Sequence, residues 1–129
     1  MSEEFITKIR EIIETTSIEK AYSPDLQTNG ENICAVTLLA GSITNGSCKR
    51  MLYSSPTFRV LIRGNKDDKN TRKLADEVIN ALNLLKNVNF TGGRVIGIEA
   101  TSPPIYAFRD ENQRIHYNIT FQADVEMEE

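Results

Sequence analysis

The sequence predicts an α+β fold, with two helices packed on one face of a mainly antiparallel sheet, and three observations lead there. Residues 3–16 and 69–86 carry the apolar spacing of amphipathic helices. Residues 115–125 alternate apolar and polar side chains at period two. A chain of 129 residues has room for one sizeable core, so both helices must cover the same apolar sheet face. The predicted order is α-β-β-α-β-β-β within a single domain spanning 1–129, with a long protruding loop or arm at 41–56.

In the first helix, Phe5, Ile9, Ile12 and Ile13 fall at i, i+4, i+7 and i+8, with Lys8, Arg10, Glu11 and Glu14 between them. Thr15, Thr16 and Ser17 end it. From Tyr22 to Asn32, Pro24, Asp25, Asn29 and Gly30 favour turns, which predicts a loop. Ile33 to Ala40 reads as a strand of mixed burial. In the next strand, Thr57 to Arg63, Phe58, Val60 and Ile62 alternate with Thr57, Arg59 and Arg63, while Leu61 breaks the polar side.

After Gly64, the cluster Asn65, Lys66, Asp67, Asp68 suits a helix start, because short side-chain oxygens accept the free N–H groups of a first turn. The second helix presents Leu74, Ala75, Val78, Ala81, Leu82 and Leu85, with Arg72–Asp76 and Lys73–Glu77 spaced as exposed ion pairs. Gly92 and Gly93 predict a turn before a strand from Arg94 to Thr101, in which Ile96, Ile98 and Ala100 are expected to share a face. Pro103 and Pro104 interrupt the ladder before a short strand at 105–109. The tetrapeptide Asp110, Glu111, Asn112, Gln113 has the composition of a hairpin loop. It leads to the last strand, where Ile115, Tyr117, Ile119, Phe121, Ala123 and Val125 fix the core face and His116, Asn118, Thr120, Gln122 and Asp124 form the polar one.

Composition narrows function. Hydrophobic residues at 40% and charged residues at 26% describe a chain that folds, and a net charge of −3 gives no general hold on DNA or anionic lipid. Ile33–Ala40 is far shorter than the roughly 20 residues that span a bilayer, and Glu3 and Glu4 are unlike a secretory signal, so a cytoplasmic protein is expected. Cys34 and Cys48 lack zinc or redox spacing and read as reduced thiols.

The inventory does not assemble an enzyme. His116 is the single histidine and is expected as a solvated strand residue rather than a general base. Asp67 and Asp68 fit capping better than paired-carboxylate chemistry. The glycines at 92, 93 and 97 match no phosphate-binding fingerprint. No catalytic residue, cofactor site or metal site is therefore assigned. Arg59, Arg63, Arg94, Arg109 and Arg114 would make an anion site if they converged, and are separate solvated arginines if they do not.

The segment Gly41 to Pro56, GSITNGSCKRMLYSSP, lacks helical or strand periodicity and is longer than most connections in a compact domain. Met51, Leu52 and Tyr53 among Gly, Ser and Asn are candidate partner-binding residues. A hairpin arm folding back on its own sheet is the equal alternative, and the two are compatible.

The strings TFRVLIRGNKD, KLADEVINALN and RVIGIEATSPPIYAFRDENQRIHYNITFQADV together resemble the small minor capsid or tail-terminator proteins of long-tailed bacteriophages and prophages. The likeness covers about residues 57–125, and the first helix fits the family plan. The resemblance implies a virion structural protein in the neck, a ring homo-oligomer, commonly a hexamer, at the head-proximal end of the tail tube. Its implied partners are further copies of itself, the tail tube protein and the head–tail connector protein. DNA passes through without specific binding, no membrane is involved, and assembly takes place in the host bacterial cytoplasm. Another neck ring, or a stand-alone small anion- or ligand-binding domain, is the alternative.

Overall fold

The structure is a computed structural model, and its described residues are 2–40, 43–45 and 51–128. The elements are α1 (Ser2–Ile13), β1 (Lys20–Tyr22), β2 (Ile33–Ala40), β3 (Ile43–Asn45), β4 (Met51–Ser54), β5 (Thr57–Arg63), α2 (Asp68–Leu82), β6 (Lys86–Phe90), β7 (Gly93–Ala100), β8 (Ile105–Arg109) and β9 (Ile115–Glu128). The α+β class and the two helices stand, but α2 ends at Leu82 rather than at 86, because Leu84 takes a positive φ of 65° and Lys86 already belongs to β6. The element order does not stand, because β1, β3, β4 and β6 are added to it.

Two of the added strands, β1 and β6, have a visible cause in the contacts around them. The three residues of β1 pair in parallel with β2, and Arg10 of α1 holds them by donating from Nε to the Ala21 carbonyl at 2.9 Å. The Ala21 amide in turn donates to Glu14 Oε2 at 2.9 Å. Strand β6 follows a backbone reversal in which Leu84 and Asn87 take positive φ, 65° and 56°, and it pairs with β7 from Lys86 to Phe90. The segment expected either as an irregular arm or as a hairpin folding back on its own sheet contains β3 and β4, an antiparallel pair, and β4 continues onto the end of β9. Residues 41–42 and 46–50 of that segment lie outside the described residues.

All but the β1–β2 pairing is antiparallel, and β9 is the common member. Along one edge it pairs with β5 from His116 to Gln122 and then with β4 from Val125 to Glu128. Along the other it pairs with β8 from Ile115 to Asn118 and with β7 from Phe121 to Met127.

The predicted strand phase holds: Ile115, Tyr117, Ile119, Phe121, Ala123 and Val125 are all buried. They join Phe5, Ile9 and Ile13 of α1 and Leu74, Ala75, Val78 and Leu82 of α2 in one core. Aromatic contacts tie the layers, with Phe58 stacked on Phe121 at 5.2 Å and Phe5 meeting Phe58 edge-on at 5.7 Å. Strand β7 departs from expectation. A bulge between Val95 and Gly97 shifts its phase, so Val95 and Ile98 are buried and Ile96 is the extra residue outside the shared face.

Gly64 is required by the approach of α2 to the sheet. A Cβ there would lie 2.1 Å from Thr71 Oγ1, and Thr71 is fully buried in the first turns of α2. Asp67 caps that helix as expected, accepting from the Lys69 amide at 3.1 Å. The expected exposed pairs of α2 are replaced: Arg72 pairs with Asp68, and Glu77 accepts from the Ser17 hydroxyl at 2.8 Å.

Phe121→Ala should lower the free energy of unfolding by about 3–5 kcal/mol in chemical denaturation, through lost burial and the cavity left between Phe58 and the helices. Its exposed neighbour Gln122→Ala should change it by no more than about 0.5 kcal/mol. Equal effects would mean that the two faces of β9 are assigned the wrong way round.

Candidate assembly surface

Three of the five arginines meet near the turn between β8 and β9. Asp110 Oδ1 accepts from the amides of Asn112 and Arg114, both at 2.9 Å, which closes the turn, and Oδ2 accepts from Arg114 Nε at 2.8 Å. Arg63 on β5 lies 3.9 Å from the same Oδ2. Both guanidinium groups then reach the loop between β1 and β2. Arg63 Nη1 donates to the Gln27 carbonyl at 2.6 Å, and Arg114 donates to the carbonyls of Gly30 and Thr28, each at 3.3 Å. Arg109 donates to the Gln113 carbonyl at 3.0 Å and the Lys66 carbonyl at 3.4 Å.

These arginines bind the protein's own backbone. Their donors are spent on carbonyls and on Asp110, so the cluster pins a loop that has no regular structure of its own. Arg59 and Arg94 lie apart from it, and Arg94 pairs with Glu126 at 3.3 Å. The five do not converge on one anion site.

His116 is not a solvated residue. It is 1% exposed, stacked on Phe108 with ring centroids 4.0 Å apart, and its Nε2 accepts from Arg63 Nε at 3.2 Å. The polar side of β9 is covered here by Phe108 of β8 and by Arg63, which alternation within β9 alone does not reveal. Burial lowers the His116 pKa from its ordinary 6.5, the positive Arg63 lowers it further, and Asp110 opposes both. Asp110 itself lies below the usual carboxylate value: burial acts to raise it, but the hydrogen bonds from Arg114 and Asn112 prevail.

On the helix side, Tyr117 Oη donates to Asp68 Oδ1 at 2.7 Å, and Arg72 pairs with the same carboxylate. The Tyr117 hydrogen bond is the main cause holding Asp68 below the usual carboxylate value. Asp68 thus ties α2 to β9 rather than serving as a paired catalytic carboxylate. Cys34 is buried in the core, where desolvation pushes its thiol up to about 12, as expected of an inert structural thiol. Cys48 lies outside the described residues.

The candidate partner-binding residues Met51, Leu52 and Tyr53 form β4, in register with Glu128, Met127 and Glu126 of β9 and, from Leu52 to Ser54, with β3. Their side chains lie outside the described residues. A second candidate surface went unnoticed in the sequence. Among the described residues strand β8 pairs with β9 alone, and it exposes Ile105 at 52%, Tyr106 at 51% and Phe108 at 45%. An edge strand with apolar side chains exposed and no lysine or proline within it is an invitation to association. The signal was present as three large apolar residues in a five-residue strand following two prolines.

Among the described residues, no group of three or more His, Cys, Asp or Glu side chains is placed to hold a metal ion, and no helix is long and apolar enough to cross a membrane. The described surface offers an exposed apolar edge at β8 and arginines committed to Asp110 and to backbone carbonyls. A family profile described as bacteriophage tail terminator protein matches residues 13–127, and the chain belongs to that family of structural, non-enzymatic tail proteins. Among solved structures it is similar to a chain of the virion of a native gene transfer agent particle, with a TM-score of 0.58 at 16% identity, covering 92% of this chain and 84% of that one. That likeness is one of fold. No curated protein sequence matches the chain.

Because the unfolded chain holds His116 at its ordinary value, it binds more protons than the folded one just below pH 6.5. Stability should therefore fall as pH drops from about 7 toward 5, while Asp110, lowered below 3.8, still contributes fully. Melting temperatures should show this loss in the parent chain and a flatter profile in His116→Phe. An unchanged slope in the variant would place the pH sensitivity elsewhere.

Proposed function

We propose that this tail protein is the terminator itself: copies close into a ring, a hexamer in the virion, on the head-proximal end of the tail tube, stop tube polymerisation and present a surface to the head–tail connector protein. The observation that carries this is the family match over residues 13–127, almost the whole fold. The chain acts as a single domain, is assembled in the host cytoplasm, and works without cofactor or catalysis. The arm at 41–56 supplies contacts to a neighbour or to the tube through Met51, Leu52 and Tyr53, at the end of β9 opposite to β8. Large apolar side chains among small polar ones suit the centre of such an interface.

DNA passes through this ring without being gripped. Six copies at −3 each carry about −18, and like charge keeps a polyanion from adhering to the wall. The runner-up is another neck ring, such as head closure. A stand-alone anion-binding domain is disfavoured by the commitment of Arg63 and Arg114 to Asp110 and to backbone carbonyls.

Polymerising tail tube protein with and without this chain, and measuring tubes by negative-stain microscopy, tests the proposal. Added protein should shorten the tubes and leave a ring at one end; unaltered lengths with bare ends would count against it. In the same assay, Met51→Ser, Leu52→Ser and Tyr53→Ser combined should abolish capping with little change in melting temperature. Normal capping by that variant would remove the arm from the interface.

A further inference from the structure

The loop between β1 and β2 has no helix or strand of its own, and residues Gln27 to Glu31 are all exposed. Two arginines hold it. Arg63 Nη1 donates to the Gln27 carbonyl at 2.6 Å and to that of Thr28 at 3.5 Å, and Arg114 donates to the carbonyls of Thr28 and Gly30. The order of these exposed residues therefore depends on what fixes the two guanidinium groups. Arg114 is fixed by Asp110, Nε to Oδ2 at 2.8 Å. Arg63 is fixed by the buried ring of His116, whose Nε2 accepts from Arg63 Nε at 3.2 Å, with Asp110 Oδ2 farther off at 3.9 Å. A histidine nitrogen accepts a hydrogen bond only while it carries no proton.

We infer that His116 is a pH-sensitive latch: protonation at Nε2 turns the acceptor of Arg63 into a second donor, drives the guanidinium off the ring and frees residues Gln27 to Glu31 while the sheet stays folded. The groups around the ring decide that Arg63 is the one to move. Arg63 faces it from β5, Asp110 from the turn, Arg114 from β9 itself and the uncharged Phe108 from β8. Ile33 of β2, in register with Arg63, is buried and apolar, and the charged residues of the loop, Asp25 and Glu31, are exposed. Arg109 turns its guanidinium to the Gln113 and Lys66 carbonyls. Protonation would thus set three cations against Asp110 where two stand now. The imidazolium has acceptors at hand, in Asp110 Oδ2 at 4.0 Å and in the carbonyls of Arg114 and Phe108, which already favour it. Arg63 instead loses its acceptor and meets a like charge while its side chain is only 10% exposed. Burial and Arg63 hold the titration of His116 below its ordinary 6.5, so the loop is latched at neutral pH and released on the acid side. The latch needs neither the ring nor the tail tube, and it opens one loop at a pH where the chain as a whole is still folded.

Nitrogen-15 relaxation on the full-length chain, with the His116 ring resonances followed in the same samples, tests the latch. At about pH 7.5 the amides of Gln27 to Glu31 should be as rigid as the sheet, with order parameters of about 0.85, and they should fall below about 0.6 as the ring titrates toward about pH 5. Amides of β5 and β9 should keep their order throughout. His116→Gln, which offers Arg63 a neutral acceptor that does not titrate, should keep the loop rigid to the acid end, and Arg63→Gln should leave it mobile at both. Thermal melts at each pH show whether the variants are folded, and the parent chain alone already decides the outcome. A loop that is mobile at neutral pH, that stays rigid after the ring has titrated, or that loosens in folded His116→Gln with the parent's midpoint overturns the latch. So does a ring that takes up no proton before the whole chain unfolds.

Discussion

A strand of fourteen residues, about 45 Å long if fully extended, is more than a small core needs, and β9 uses its length by serving as the partner of four others. It pairs with β5 and then β4 along one edge, and with β8 and β7 along the other. Its inner face, from Ile115 to Val125, supplies the floor under α2, while α1 packs over β1, β2 and β6 and joins the same core. Any slip of register by one residue would exchange that apolar face for His116, Asn118, Thr120, Gln122 and Asp124, so the alternating pattern fixes all four pairings together. Strands β4, β7 and β8 depend on this one strand for their position, and β3 and β6 follow through β4 and β7.

This explains how much of the fold was legible. The helices and the strands at 57–63 and 115–125 announce themselves by local periodicity, which burial then enforces, while 33–40 and 105–109 are legible from their apolar composition and bounding turns. What was not legible depends on contacts made across the chain. Lys20–Tyr22 becomes a strand because Arg10 and Glu14 of α1 clasp Ala21. Lys86–Phe90, with three polar residues in five, becomes one because the turn at Leu84 delivers it to β7. The bulge at Ile96 changes which side of β7 is buried, and no count of alternation anticipates a bulge.

The candidate surfaces show the same division. Five scattered arginines permit an anion site in principle, but Asp110 and the carbonyls of residues 27–30 had already claimed two of them. His116 sits on the polar side of β9, as its position in the pattern requires, yet Phe108 shuts it from water. Polar pattern predicts the face of a strand and says nothing about what another strand lays over it. The apolar edge of β8 follows the opposite logic: its side chains are of core type, and the fold leaves them outside.

The most direct measurement is the averaged density of the head–tail junction in assembled virions carrying this chain. The account predicts a single ring of this fold between the last tube layer and the connector. The same fold repeated along the tube, or found at the distal tip, would contradict it.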